Sequence, residues 1–116
     1  MALKVLRKNW QFRQAYRHGK KIICEHAIVF YLDRHSEDEA ACFGVVASKR
    51  VGGAVQRNRA KRLLREVFRQ ISKDLKHQDF WMVAVARNTI LSATYQETLM
   101  DIRTNLAAEG LLDNDG

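Results

Sequence analysis

Residues 48–69 read Ser-Lys-Arg-Val-Gly-Gly-Ala-Val-Gln-Arg-Asn-Arg-Ala-Lys-Arg-Leu-Leu-Arg-Glu-Val-Phe-Arg, so that eight bases between positions 49 and 69 are accompanied by Glu66 alone. Guanidinium forks bridge phosphate oxygens bidentately, and the amide of Asn58 can bond a ribose or a base edge. A rigid helix presenting such side chains suits structured RNA. A solvated helix face is the bland alternative. Solvated faces intersperse acids among the bases, whereas here like-charge repulsion stays uncompensated until a polyanion arrives. A second constellation lies upstream, where Phe12 and Tyr16 stand four apart beside Arg13 and Arg17. Stacked bases need such an aromatic platform within a basic groove. From spacing alone, packing of both rings between a short helix and a sheet is the favoured reading.

Other chemistries find less support. Asp33, Glu37, Asp38 and Glu39 are carboxylates of the kind that hold paired metal ions in nucleases. Their clustering in a polar connection reads as solvation instead. His18, His26, His35 and His77 lack metal-ligand spacing, and neither a nucleophile elbow nor a phosphate-cradling loop is present. No catalytic set and no protein-bound metal are therefore expected. Cys24 and Cys42 belong to no C-x-x-C pair and read as thiols that fill space.

The whole chain has 116 residues, enough for one domain with one core. Twenty Lys and Arg against 13 acids give a net charge of +7, which points to a polyanion, either nucleic acid or an anionic membrane. The apolar runs 27–32 and 80–86 fall far short of the roughly 18–20 residues that span a bilayer, and the N-terminus has no apolar signal core, so a cytoplasmic protein is expected. Charge is uneven along the chain. Residues 1–21 hold seven bases and no acid, residues 49–69 are equally basic, and the stretches 22–48 and 70–116 are net negative.

These side chains must be held by elements legible in the pattern. Asn9 is a candidate N-cap for a helix over about 10–17, with Gly19 placed to end it in a left-handed conformation. Residues 27–33 and 42–48 are rich in β-branched and aromatic side chains, and the polar stretch 34–41 between them reads as a hairpin connection. A third strand is expected at 80–86, and a further short one near 20–26. Gly52-Gly53 opens a helix over about 54–71, with Ala60, Leu63, Leu64, Val67 and Ile71 on one buried stripe and Arg57, Lys61, Arg62, Arg65 and Arg69 on the opposite arc. Thr94-x-x-Glu97 is a capping box that starts a last helix running until Gly110. The resulting order is α-β-β-α-β-α in an α+β domain.

The run Arg57-Asn58-Arg59-x-Lys61-Arg62-x-x-Arg65, following Val51-Gly52-x-Ala54-Val55, resembles the signature of the protein subunit of bacterial ribonuclease P. The resemblance extends through Leu6 to Phe12, His18-Gly19-Lys20, Asp79-Phe80, Ala86-Arg87 and Thr94-Tyr95, and covers about residues 4–108 of a single RNA-binding domain, 1–116. Gly53, where the family often has Asn, Tyr16, where it often has Phe, and the weakly acidic tail depart from its pattern. The resemblance implies a single-domain α/β sandwich, a mixed sheet with helices, and a left-handed βαβ crossover around the basic helix, against the general right-handed rule. It implies a ribonucleoprotein endonuclease that removes the 5′ leader of precursor tRNA. Catalysis and the required Mg²⁺ would lie in the RNA subunit, with which the chain would form a heterodimer, and no membrane would be involved. Lys49, Arg50, Arg57, Asn58, Arg59, Lys61, Arg62, Arg65 and Arg69 would then contact the RNA subunit, and Phe12, Arg13, Tyr16, Arg17 and Phe30 the leader. A one-residue shift in register would exchange Phe30 for Tyr31. A general RNA-binding module of ribosomal or chaperone type is the alternative.

Overall fold

The computed structural model of the chain describes residues 4–33, 42–75 and 80–113. In order they form strand β1 (Lys4–Val5), helix α1 (Asn9–His18), strands β2 (Lys20–Ile23), β3 (Ala27–Asp33) and β4 (Cys42–Val46), helix α2 (Ala54–Ile71), strand β5 (Phe80–Ala86) and helix α3 (Tyr95–Ala108). The expected strand at 80–86 and helices at 54–71 and from Thr94 onward all form. Strand β1 was not anticipated, because two residues are too few to show a period; it pairs in parallel with Cys42 and Phe43 of β4.

One mixed sheet joins the five strands in the order β1-β4-β5-β3-β2. Its centre is β5, parallel to β4 and antiparallel to β3. The segment Phe80–Ala86 is apolar at every position, as a strand covered on both faces must be. Because β5 separates β3 from β4, the hairpin expected between those two does not form. Pairing them directly would have left the most apolar strand with an open edge. The connection 34–41 itself, with Glu37, Asp38 and Glu39, lies outside the described residues.

Alternation along the strands sorts side chains onto two faces. Val29, Tyr31, Phe43, Phe80 and Met82 meet Leu64, Phe68 and Ile71 of α2 and Ile102 and Leu106 of α3 in the larger core. On the other face Phe30, Trp81, Val83 and Val46 meet Leu6, Phe12 and Ala15 beneath α1. Phe43 turns its ring to Phe68 on α2 while its carbonyl accepts from the Leu6 N–H on the β1 side at 2.9 Å. In an extended L-residue that combination puts β1 to the right of β4, and β5 to its left, when β4 points upward and is viewed from α2. The β4–α2–β5 crossover is therefore left-handed, the uncommon sense.

Helix ends follow local chemistry, with two departures from expectation. Lys8, not Asn9, occupies the N-cap position of α1, and the Gln11 side chain closes that end by accepting from the backbone N–H groups of Arg7 and Lys8 at 3.2 and 3.0 Å. Gly19 leaves α1 with an extended φ of −76° rather than a left-handed one. A glycine is needed there for a different reason: a Cβ would lie 2.4 Å from the Ala15 carbonyl oxygen. The capping box of α3 forms as expected, Thr94 Oγ1 accepting from the Glu97 N–H at 3.1 Å and Glu97 Oε1 from the Thr94 N–H at 2.9 Å. Those bonds hold the Glu97 carboxyl below its ordinary pKa. Gly110, at φ +75°, ends the helix in the left-handed region. Among the described residues no helix is long and apolar enough to cross a membrane.

Candidate nucleic-acid interface

Helix α1 lies across the sheet and builds a groove with it. The Tyr16 ring meets Phe30 edge-on at 4.9 Å. One turn earlier Phe12 sits over Gly44 of β4, where a Cβ would come within 2.6 Å of its ring, so only glycine lets that ring reach the strand. Asn9, Phe12, Arg13, Tyr16 and Val46 line an open groove of about 550 Å³. Register settles the choice between neighbours on β3. Phe30 pairs with Lys21 and Val83 and faces α1, whereas Tyr31 is buried on the far side, stacked on Phe80 at 5.5 Å. Tyr16 remains 39% exposed, and partial burial raises its phenol pKa, which keeps that hydroxyl neutral. Arg13 is exposed on the rim; Arg17 is exposed one turn further on and does not line the groove. Aromatic faces beside a guanidinium provide for a stacked base and its phosphate.

Sequence reasoning missed Asn9, Gly44 and Val46 as parts of the groove. As the cross-strand partner of Phe30, Lys21 presents its ammonium on the groove face, while Lys20 turns away to pair with Glu109 at 2.7 Å. A glycine inside an apolar strand was the available signal for Gly44, since it marks close approach by another group.

The second basic surface starts three residues beyond Val46. Residues 48–52 form a turn in which the Val51 N–H donates to the Ser48 carbonyl and the Gly52 N–H to that of Lys49, leaving Lys49 and Arg50 exposed. Gly52 has φ +145°, a conformation open to glycine, and Gly53 then starts α2. Ala60, Leu64, Val67, Phe68 and Ile71 of that helix are buried. Asn58, Arg59, Arg62, Arg65 and Arg69 are exposed, with Arg69 partly neutralised by an ion pair to Glu66. Arg57 and Lys61 correct the expected arc. Arg57 precedes Ala60 by three residues and Leu64 by seven, and so falls on the buried stripe. It is half-buried, and its Nε is enclosed without a hydrogen-bond partner among the described residues. Lys61 is likewise half-buried, three residues before Leu64. Both aliphatic stems cover the edge of the core.

The larger cavity, about 790 Å³, carries the opposite charge. Its walls include Glu25, Glu97 and Asp101, which would repel phosphate. There the Asp101 carboxylate accepts from the backbone N–H groups of Glu25 and His26 at 3.0 and 2.9 Å and ties the β2–β3 turn to α3. Thr89 gives its hydroxyl proton to the Glu25 carbonyl at 2.8 Å, so it accepts from His26 Nδ1, 3.0 Å away. Among the described residues no three His, Cys, Asp or Glu side chains are grouped to hold a metal ion. Cys24 is buried, and burial pushes its thiol up to about 12, so it stays protonated and inert at neutral pH.

Comparison with known proteins bears on both surfaces. The family model for ribonuclease P matches residues 2–108. The ribonuclease P protein component of Clostridium novyi is 32% identical over 106 residues, covering 91% of this chain and 93% of the relative. That of Alkaliphilus oremlandii is 38% identical over 96 residues, covering 83% and 82%. Among solved structures, an RNase P protein of Staphylococcus aureus superposes with a TM-score of 0.79 at 22% identity over 93% of this chain and 96% of that one. The one from Thermotoga maritima gives 0.72 at 21% identity over 97% and 99%.

The Gly44 contact makes a testable coupling. Gly44→Ala should destabilise the chain by about 1–3 kcal/mol, because the new methyl overlaps the Phe12 ring. Adding Phe12→Leu should recover part of that loss in a double-mutant cycle read by thermal unfolding. Additive losses would mean that Phe12 does not rest on Gly44.

Proposed function

Because this chain belongs to the ribonuclease P protein family, and is thus the protein component of a tRNA-processing endoribonuclease, we propose that its two basic surfaces divide two RNAs between them. The groove under α1 takes the single-stranded 5′ leader of precursor tRNA. Helix α2 and the turn before it dock on the catalytic RNA subunit, which forms a heterodimer with the chain, holds the Mg²⁺ ions and cuts the leader. Family membership displaces the alternative of a general RNA-binding module.

One observation carries this reading: Tyr16, Phe30 and Phe12 converge on one side of the sheet beneath an exposed arginine. A leader base laid on Tyr16 would gain about 1–3 kcal/mol of stacking that mature tRNA, having no leader, cannot supply. Phosphates on either side of that base would meet Arg13 and Lys21, with Arg17 one turn further along. Lys49, Arg50, Asn58, Arg59, Arg62 and Arg65 offer a second set of donors on a rigid helix and turn, suited to the backbone of a folded RNA. Half-buried Arg57 and Lys61 contribute less to that set, and Arg69 contributes through whichever donors Glu66 leaves open. Val46 and Lys49 are three residues apart, so the leader path and the docking surface adjoin at one end of the sheet.

Two substitutions separate the surfaces. Tyr16→Ala should weaken precursor tRNA binding by the reconstituted holoenzyme about 5- to 150-fold and leave mature tRNA affinity nearly unchanged. Tyr16 is the better probe, because losing Phe12 also opens a hole above Gly44. Equal losses for the two tRNAs would remove the groove from leader binding. Arg59→Ala should lower the log–log salt slope of RNA-subunit binding by about 0.7–0.9, one phosphate contact, with unfolding temperature unaltered. An unchanged slope would place Arg59 outside that interface.

A further inference from the structure

Trp10 stands on the first turn of α1, between the groove residues Asn9 and Phe12, yet it does not line the groove. It is 48% exposed, whereas Trp81 beneath it is 3% exposed. The two indoles meet edge-on at 5.5 Å with 63° between their planes. The buried ring anchors the exposed one and fixes its orientation while leaving much of its surface in water. About half of the Trp10 surface is therefore open to a flat apolar partner, and an indole presents both an apolar face and an N–H donor. Its neighbours along the chain are basic. Arg13 and Arg17 follow at i+3 and i+7 on the same side of α1, Arg7 and Lys8 precede it, and residues 1–21 contain no acid.

We propose that Trp10 is a second stacking site for single-stranded RNA, receiving a leader nucleotide that has left the groove past Arg13. The proposal rests on the leader reading above and extends it by one base. An indole offers the largest π-face of any side chain, and every base can stack on it, so the site would add affinity without reading sequence. The phosphate between the base on Tyr16 and the base on Trp10 would lie along the ridge that Arg13 occupies. A ring already held by Trp81 loses little freedom on binding, which favours it over a freely rotating side chain.

The test uses the reconstituted holoenzyme and precursor tRNAs whose leaders lengthen one nucleotide at a time, with Trp10→Ala, Trp10→Phe and Tyr16→Ala compared against the unaltered chain. Trp10→Ala should match the unaltered chain on the shortest leaders, then fall behind by about 5-fold or more once the leader passes Arg13. Trp10→Phe should keep most of the affinity, and Tyr16→Ala should already be impaired on shorter leaders. The chain has two tryptophans and Trp81 is buried, so in the unaltered chain an eight-nucleotide oligoadenylate should quench the part of the emission that comes from the exposed Trp10. That measurement does not depend on whether Trp10→Ala folds normally. Affinities for Trp10→Ala equal to the unaltered chain at every leader length, with Tyr16→Ala still impaired, would overturn the Trp10 site and leave the groove standing. If Tyr16→Ala were also without effect, the groove reading would fall as well. A matching loss for mature tRNA, or no quenching, would also overturn the proposal.

Discussion

Strand β5 is apolar on both sides, and the architecture follows from the need to cover it twice. Phe80, Met82, Ala84 and Ala86 face α2 and α3, while Trp81 and Val83 face α1. Fully burying a Phe, Met or Val side chain contributes roughly 1.5–3 kcal/mol, more than a surface ion pair typically provides. Once β5 takes the centre, its parallel neighbour β4 must be joined to it by a crossover, and α2 is that crossover. Coverage of the second face falls to the short helix α1, too short to persist without the sheet beneath it. The two surfaces proposed to meet RNA are thus the outer side of one covering helix and the flank of the other.

This arrangement explains the distribution of charge. Burial commits one stripe of α2 to the core and leaves the opposite side, with Arg59, Arg62 and Arg65, to solvent. Glu66 is the one acid on that helix, whereas Glu25, Glu97 and Asp101 lie together at the acidic cavity, where Asp101 and Glu97 bond backbone N–H groups of the β2–β3 turn and the start of α3. A polyanion approaching the basic side meets donors on a scaffold that does not need to reorganise. The acidic cavity is the larger one, but its carboxylates are occupied in holding turns and its charge excludes phosphate.

Much of this was legible in the sequence wherever a signal was local. The capping box at Thr94, the stripe on α2 and the apolar run of β5 each depend on residues within a few positions of one another, and each formed as expected. What depended on pairing across the chain was not legible. Two apolar strands around a polar connection look like a hairpin, yet β5, more than thirty residues beyond β4, takes the place between them. The handedness of the crossover came from resemblance alone, since no periodicity encodes it. The site behaved similarly. The aromatic pair and the basic helix were readable by type and spacing, and the choice of Phe30 over Tyr31 needed the register. Arg57 was misassigned because its charge outweighed its position, which the i+3 and i+7 relation to Ala60 and Leu64 could have corrected.

The central claim is that this chain binds and the RNA subunit cuts. Single-turnover cleavage of precursor tRNA, measured with the chain alone, with the RNA subunit alone and with both at low Mg²⁺, tests it most directly when precursor affinity is recorded in parallel. No cleavage is expected from the chain alone, and the gain on adding it to the RNA should appear mainly as tighter precursor binding. Cleavage by the purified chain without RNA, or an accelerated cutting step at unchanged precursor affinity, would contradict it.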